Sequence, residues 1–282
     1  MSKKIAVVTD STAYIPKELL DQYQIRIVPQ ILIWGDETFQ DGVDIQPSEF
    51  YARLKTAKIM PSTSQATPAT FYRIFSELIE QDYQVVAILL AATLSGTISS
   101  AIQAREMLTG ATIEIVDSQT TAMALGFQVL EAAKAAQDGA NLSDCVAIAE
   151  RAQQQTGVVF AVDTLEFLHR GGRIGGANRF LGTALNIKPI LEVVNGRVEA
   201  IERVRTRKKS LSRLVELLEE RIAGRSPVQL ATLHANSSVD AEELLLEASK
   251  KLDPTVKIFS EVSPVIGTHA GPGTVGLAYM AG

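Results

Sequence analysis

Three short polar stretches in this sequence follow apolar or turn-rich segments and carry side chains able to do chemistry: Asp10-Ser-Thr12, Ser62-Thr-Ser-Gln65 and Leu94-Ser-Gly-Thr97. In an open α/β sheet, ligands bind beyond the carboxyl ends of the strands, and each stretch is expected to fall there. The third is the most informative. A buried strand, then Ser95-Gly96, then a helix start sets a hydroxyl and free backbone N–H groups against the positive end of a helix, which makes an anion cradle. The plainer alternative is that Ser95 only caps the helix. Thr63 and Ser64 carry the same alternative, as residues that satisfy a loop before a cap at Thr67. A third reading makes Ser95 a nucleophile, with a base drawn from His169, His234 or His269 and oriented by Asp10 or Asp117. The hydrolase elbow needs G-x-S-x-G, however, and Thr93 and Thr97 occupy the glycine positions. His234 ends an apolar strand and reads as a core or rim histidine. His169, beside Arg170-Gly-Gly, reads as a cation at a helix carboxyl end.

The segment Gly267-Thr-His-Ala-Gly271-Pro-Gly273-Thr-Val-Gly276 contains G-x-G-x-x-G. That fingerprint binds a dinucleotide only when a helix follows and an acidic residue stands about 20 positions later. The chain ends at Gly282, so neither is present, and Pro272 lacks one of the N–H donors a pyrophosphate needs. What remains is a glycine-rich turn carrying one imidazole, His269. No G-x-x-x-x-G-K-[ST] occurs, and Gly171-Gly-Arg-Ile-Gly-Gly176 lacks the lysine–hydroxyl pair of a phosphate loop. One Cys and three scattered His supply no metal-ligand spacing. No cofactor, metal or catalytic residue is expected. The basic run Arg203-Val-Arg205-Thr-Arg207-Lys-Lys209 stands out in an otherwise acidic chain. Cations near a helix amino terminus oppose its dipole, so the run reads as a docking surface for an acidic partner or a phosphate as well as a solvated helix start.

The elements that must position these groups follow from periodicity. Ile5–Val8 is read as a strand, with a helix from Pro16 and a small β excursion near residues 28–46. Thr67-Pro68 opens a helix through Phe71, Phe75, Leu78 and Ile79. Val85–Ala91 and Thr112–Val116 are strands, Ile98–Leu108 and Leu125–Ala136 helices, an alternation that signals parallel βαβ units. Beyond residue 156 the rhythm changes. Val158–Val162 and Ile190–Val194 are strands, Asn195-Gly196 a hairpin turn into Val198–Val204, and Val228–His234 and Val256–Phe259 further strands. Residues 207–222 and 238–251 are helices, the first with Leu211, Leu214, Leu218 and Ile222 on one stripe. The expected fold is two α/β domains with a ligand between them. Residues 1–155 form a three-layer domain with a mainly parallel sheet, and residues 156–282 a two-layer domain with a mixed sheet.

The chain has 282 residues, is 46% hydrophobic and 21% charged, and carries a net charge of −5. It can bury a sizeable core, and its charge argues against nucleic acid or an anionic membrane as partner. The longest apolar run, Val85–Ala92, is too short to span a membrane, so no stable membrane insertion is expected. The lone Cys145 and the short apolar run after Met1-Ser-Lys-Lys suit a reducing, cytoplasmic setting without a signal peptide.

An ordered series of segments resembles the DegV family of bacterial fatty-acid-binding proteins. The series is Val8-Thr-Asp-Ser-Thr12, Thr63-Ser-Gln65, Leu94-Ser-Gly-Thr97, Val116-Asp-Ser118, Leu168 through Gly171-Gly-Arg-Ile174, Ile187-Lys-Pro-Ile190, Val204-Arg-Thr-Arg-Lys-Lys209 and Gly267-Thr-His-Ala-Gly-Pro-Gly273. The resemblance covers nearly the whole chain. It implies one long-chain fatty acid (about C14–C18) held between two α/β domains, with Thr63 and Ser95 hydrogen-bonding its carboxylate and His269 beside it. Some members serve as the acyl-binding subunit of an ATP-dependent fatty acid kinase. In those, the arginine matching Arg205 belongs to the kinase-docking surface, and Arg203 and Lys208 are further docking candidates here.

The residues agree with that implication. A carboxylate in a dry pocket needs several converging donors, and Thr63, Ser95, the Gly96 N–H and His269 are candidates drawn from both halves of the chain. The glycines around His269 would let backbone approach the headgroup. Two rivals remain beside the non-catalytic presenter: an acyl hydrolase or transferase using Ser95 with His269, and a lipid carrier or regulator without a kinase.

Overall fold

The computed structural model describes residues 4–182 and 187–282, so Met1–Lys3 of the amino-terminal stretch lie outside the described residues. The chain runs β1 (Lys4–Asp10), α1 (Lys17–Gln22), β2 (Arg26–Val28), β3 (Ile31–Trp34), β4 (Glu37–Gln40), α2 (Pro47–Leu54), β5 (Ser62–Ser64), α3 (Pro68–Glu80), β6 (Tyr83–Leu89), α4 (Thr97–Met107), β7 (Ile113–Asp117), α5 (Ala122–Gln137) and α6 (Leu142–Gln155). It continues with β8 (Thr156–Ala161), α7 (Glu166–Arg170), β9 (Lys188–Val194), β10 (Arg197–Val204), α8 (Arg207–Ile222), β11 (Val228–His234), α9 (Ser238–Leu252), β12 (Val256–Ile258), α10 (Pro264–Ala270) and β13 (Val275–Ala281).

The first sheet is parallel throughout, in the order β2-β1-β6-β7. Its strands read as unbroken apolar runs because both faces are covered. On one face lies α3, whose Phe71, Ile74, Phe75 and Leu78 are buried in helical register, together with α4. The Thr67 side chain accepts the Thr70 N–H and caps α3, with Pro68 at its first position. On the other face lie α5 and α6.

The second sheet is mixed, in the order β10-β9-β8-β13-β11-β12. Asn195 and Gly196 both take positive φ, 49° and 76°, as the tight β9–β10 hairpin requires. Helices α8 and α9 cover one face. The opposite face rests on α5 and α6, the helices that also back the first sheet. The molecule is therefore layered helix–sheet–helix–sheet–helix, with one helical layer shared. This explains the composition of α5: nearly every side chain from Ala122 to Leu130 is buried, as expected of a helix with apolar neighbours all round.

Two readings need correcting. Residues 62–64 are not a loop at a strand end. They form β5, which pairs antiparallel with β3 in a small sheet ordered β4-β3-β5 and sets Thr63 opposite Leu32. The segment around His269 is not a flexible turn either. His269 lies on α10, and the chain after Gly273 enters β13, which fills the middle of the second sheet between β8 and β11.

Candidate functional site

Between the two sheets lies a cavity of about 890 Å³ counting its open mouth, with walls mainly of apolar side chains such as Leu90, Phe160, Val198 and Val265. Its polar lining includes Thr63, Ser95, Arg173 and His269. Four separate elements bring these groups together. Thr63 stands on β5. Ser95 sits in the turn between β6 and α4. Arg173 follows α7. His269 occupies the last turn of α10.

The Thr63 hydroxyl and His269 Nε2 are 2.7 Å apart. Burial, reinforced by the nearby Arg173 charge, pushes the His269 pKa down to about 4, so its imidazole is neutral at pH 7. Its Nδ1 has no hydrogen-bond partner among the described residues and lies against Gly171, where a Cβ would overlap it. Arg173 is clamped from both sides: Nε donates to the Leu94 carbonyl at 2.9 Å and Nη1 to the Gly171 carbonyl at 2.7 Å. It thereby ties the segment after α7 to the Ser95 turn and places a cation beside His269.

Of the proposed carboxylate contacts, Thr63, Ser95 and His269 all reach the cavity wall, whereas Gly96 is not part of that wall. Gly96 is the cap residue of α4, and the Gln65 amide packs where its Cβ would be, 3.0 Å away. Arg173 was not singled out from the sequence as a site residue. The signal available was its place after Gly171-Gly172, inside the glycine-rich segment that fails as a phosphate loop. Gln30, 2% exposed, was also missed; its amide supports Thr97, the hydroxyl partner of Ser95. The Asp10 loop turns out to be structural. Its fully buried carboxylate accepts the Thr12 N–H, the Thr12 hydroxyl and the Leu90 N–H, joining the ends of β1 and β6.

Two glycines near His269 are needed for packing. A Cβ on Gly267 would strike the Tyr51 hydroxyl, and one on Gly271 would strike the Phe167 ring. Helix α10 is held to the amino-terminal half by Asp41, which accepts the Ser263 hydroxyl at 2.8 Å and the Val265 N–H at 3.3 Å while also accepting Ser11 at 2.6 Å.

Ser95 has no histidine against it: its hydroxyl partner is Thr97 at 2.8 Å, and Nε2 of His269 is engaged with Thr63. The hydrolytic constellation is therefore not assembled. In the basic run, Arg203 lies over the Phe180 ring at 5.0 Å, and Arg207 bonds Asp240 and the Gly273 carbonyl. Arg205 and Lys208 are exposed.

The sequence profile of the DegV family, described as uncharacterised protein, matches residues 4–282. The chain belongs to the DegV family. Among DegV relatives, Protein DegV of Bacillus subtilis is 37% identical over 277 residues, 98% of each chain. A DegV family protein of Thermus thermophilus, whose structure concerns fatty acid binding, superposes with a TM-score of 0.93 at 34% identity over 99% of each chain. The crystal structure of DegV from Bacillus subtilis, a fatty acid binding protein, superposes at 0.89 with 36% identity over 100% of each chain. Within the DegV fold, among the described residues, no helix is long and apolar enough to cross a membrane and no cluster of His, Cys, Asp or Glu is arranged to hold a metal.

Proposed function

We propose that this DegV-family chain binds one long-chain fatty acid of about C14–C18. Its tail lies in the interdomain cavity and its carboxylate at the polar head formed by Thr63, Ser95, Arg173 and His269. The observation that carries this reading is a mainly apolar cavity whose wall holds two hydroxyls, a neutral imidazole bonded to one of them and a guanidinium beside that imidazole. Burying a palmitate-like tail at ~0.8 kcal/mol per CH₂ contributes on the order of 10 kcal/mol gross, so the tail supplies affinity and the head fixes orientation. Relatives described as fatty-acid-binding support the same reading. A finer step is part of the proposal: the chain acts without catalysis of its own and presents the carboxylate to an ATP-dependent fatty acid kinase that makes the acyl phosphate. The exposed Arg205 and Lys208 supply a cationic docking face for it.

Mass spectrometry of lipid released by denaturing the purified protein tests the binding, together with palmitate titrations. Stoichiometric C14–C18 acid is expected, and Ser95→Ala and Thr63→Ala should each weaken palmitate binding by about 1–3 kcal/mol without abolishing it. Protein that yields no lipid and binds no palmitate would refute the proposal.

A further inference from the structure

Behind the polar head runs a chain of hydrogen bonds whose proton direction is set from the protein side. It begins at Gln30. The Ala66 backbone N–H reaches the Gln30 amide at 3.1 Å. A backbone N–H can only donate, so the amide atom facing it is Oε1, and Nε2 is turned toward Thr97. Nε2 then donates to the Thr97 hydroxyl at 2.9 Å. Thr97 is fully buried and has one proton of its own to place. Two acceptors are in reach: Ser95 Oγ at 2.8 Å and Gln30 Oε1 at 3.3 Å, the second also holding the Ala66 N–H. The shorter contact takes the proton. On that assignment Ser95 Oγ accepts from Thr97, and its own proton is left for the cavity it lines.

We propose that Gln30, acting through Thr97, is a specificity-determining positioning residue that holds the Ser95 hydroxyl oriented to donate into the cavity, so that the head of the cavity selects an ionised carboxylate over a neutral head on the same tail. The proposal rests on the fatty-acid reading above. Hydrogen bonds to a charged acceptor are about twice as strong as neutral ones, and a donor already oriented loses no freedom in making one. An amide head meets that oriented donor only through a neutral carbonyl oxygen, a weaker acceptor than an ionised carboxylate. With the relay cut, the Ser95 hydroxyl rotates freely: it must be ordered again to donate to a carboxylate, whereas it can turn to accept an amide N–H.

The test compares palmitate with palmitamide, which share tail length, in titrations with the wild-type protein, Gln30→Met, Thr97→Val and Thr97→Ser. None of these changes adds a charge. The wild type is expected to prefer palmitate by at least about tenfold, as one charge-assisted bond allows. Gln30→Met and Thr97→Val should each lower that preference about tenfold while palmitamide affinity stays within about twofold. Thr97→Ser keeps the hydroxyl and should keep the preference. A purely structural role would weaken both ligands together and leave the ratio unchanged, which overturns the inference, as would a wild type that binds both ligands equally. Either of the first two variants suffices if the other fails to fold. A wild type that binds neither ligand defeats the fatty-acid reading itself, whereas tight palmitate binding with a constant ratio across the variants defeats only the role of Gln30.

Discussion

Two buried titratable residues on opposite ends of one short helix respond to acid in opposite directions. His269, at the carboxyl end of α10, has its pKa lowered to about 4 by burial and by Arg173. Asp41, bonded at the amino end of the same helix, has its carboxyl pushed up to about 6 by burial, the bonds from Ser11, Ser263 and Val265 only partly offsetting this. Near pH 5 the unfolded chain holds a proton on the histidine that the folded chain does not, so this residue makes stability rise with pH. For Asp41 the folded chain holds the proton and the unfolded chain does not, so this residue makes stability fall with pH. Each slope approaches about 1.4 kcal/mol per pH unit between pH 4 and 6, and the two largely cancel. Thermal unfolding followed from pH 4 to 7 should expose each one separately. Relative to wild type, His269→Gln should gain stability as pH falls toward 4, and Asp41→Asn should lose it. Difference curves that are flat for both variants would contradict these assignments.

At the scale of elements, the imidazole is placed by helix packing. Helix α7 ends at Gly171, whose missing side chain leaves the space occupied by His269 Nδ1 from α10. Its φ of −74° is ordinary, so the glycine is needed there for room and not for backbone freedom. Its neighbour Gly172 is the reverse case, with φ +71° and nothing within 4 Å of a built Cβ. The two alanine variants should therefore separate. Gly172→Ala should cost about 1 kcal/mol of stability through its backbone conformation and leave palmitate binding as in wild type. Gly171→Ala must displace the ring or part the helices, at about 1–3 kcal/mol, and should also weaken palmitate binding by breaking the Thr63–His269 contact. Denaturant melts paired with palmitate titrations distinguish the outcomes. Equal binding by both variants would show that α7 does not set the imidazole.

For the whole molecule, the shared layer of α5 and α6 makes the two sheets parts of one continuous core: buried residues of β1, β6, β8, β11 and β13 belong to a single cluster with α5. Polar contacts across the cleft include Asp41 to Ser263, Tyr51 to the Val262 carbonyl, Arg173 to the Leu94 carbonyl, Thr63 to His269 and Thr93 to the Gly196 carbonyl. The proposed lipid site belongs to this interior, whereas the exposed Arg205 lies on the segment joining β10 to α8. If docking to a kinase uses that segment, the two functions separate. Arg205→Ala should bind palmitate as wild type does but form acyl phosphate more slowly with a cognate kinase and ATP, mainly through a raised apparent KM for the loaded protein. Truncating a desolvated interface charge commonly costs about 2–5 kcal/mol, and the wild-type reaction should weaken with added salt. An Arg205→Ala protein that turns over normally but has lost its lipid would place this arginine at the pocket.

What the sequence determined alone was local. The apolar runs of β1, β6 and β11, the Thr67-Pro68 cap, the Asn195-Gly196 hairpin and the stripe of α8 could all be read because each depends on residues a few positions apart. The G-x-G-x-x-G stretch leads into β13 and not into the helix that a dinucleotide fingerprint opens. The hydroxyl at Ser95 stood out because strand, small residue and helix start are contiguous. Tertiary structure decided the rest. Thr63 and His269 touch across 206 positions of chain, and Arg173 reaches Leu94 across 79. Residues 62–64 have no strand signal of their own and become β5 only because β3 offers an edge. Val275–Ala281 has apolar character at the chain end, but nothing local shows that it will be central in the second sheet. Gln30 looked like an ordinary polar residue near a turn, and only its burial between Ala66 and Thr97 gives its amide a direction. The physical division is between propensity, which acts over one helical turn or one strand, and burial, which depends on what the rest of the chain brings into contact.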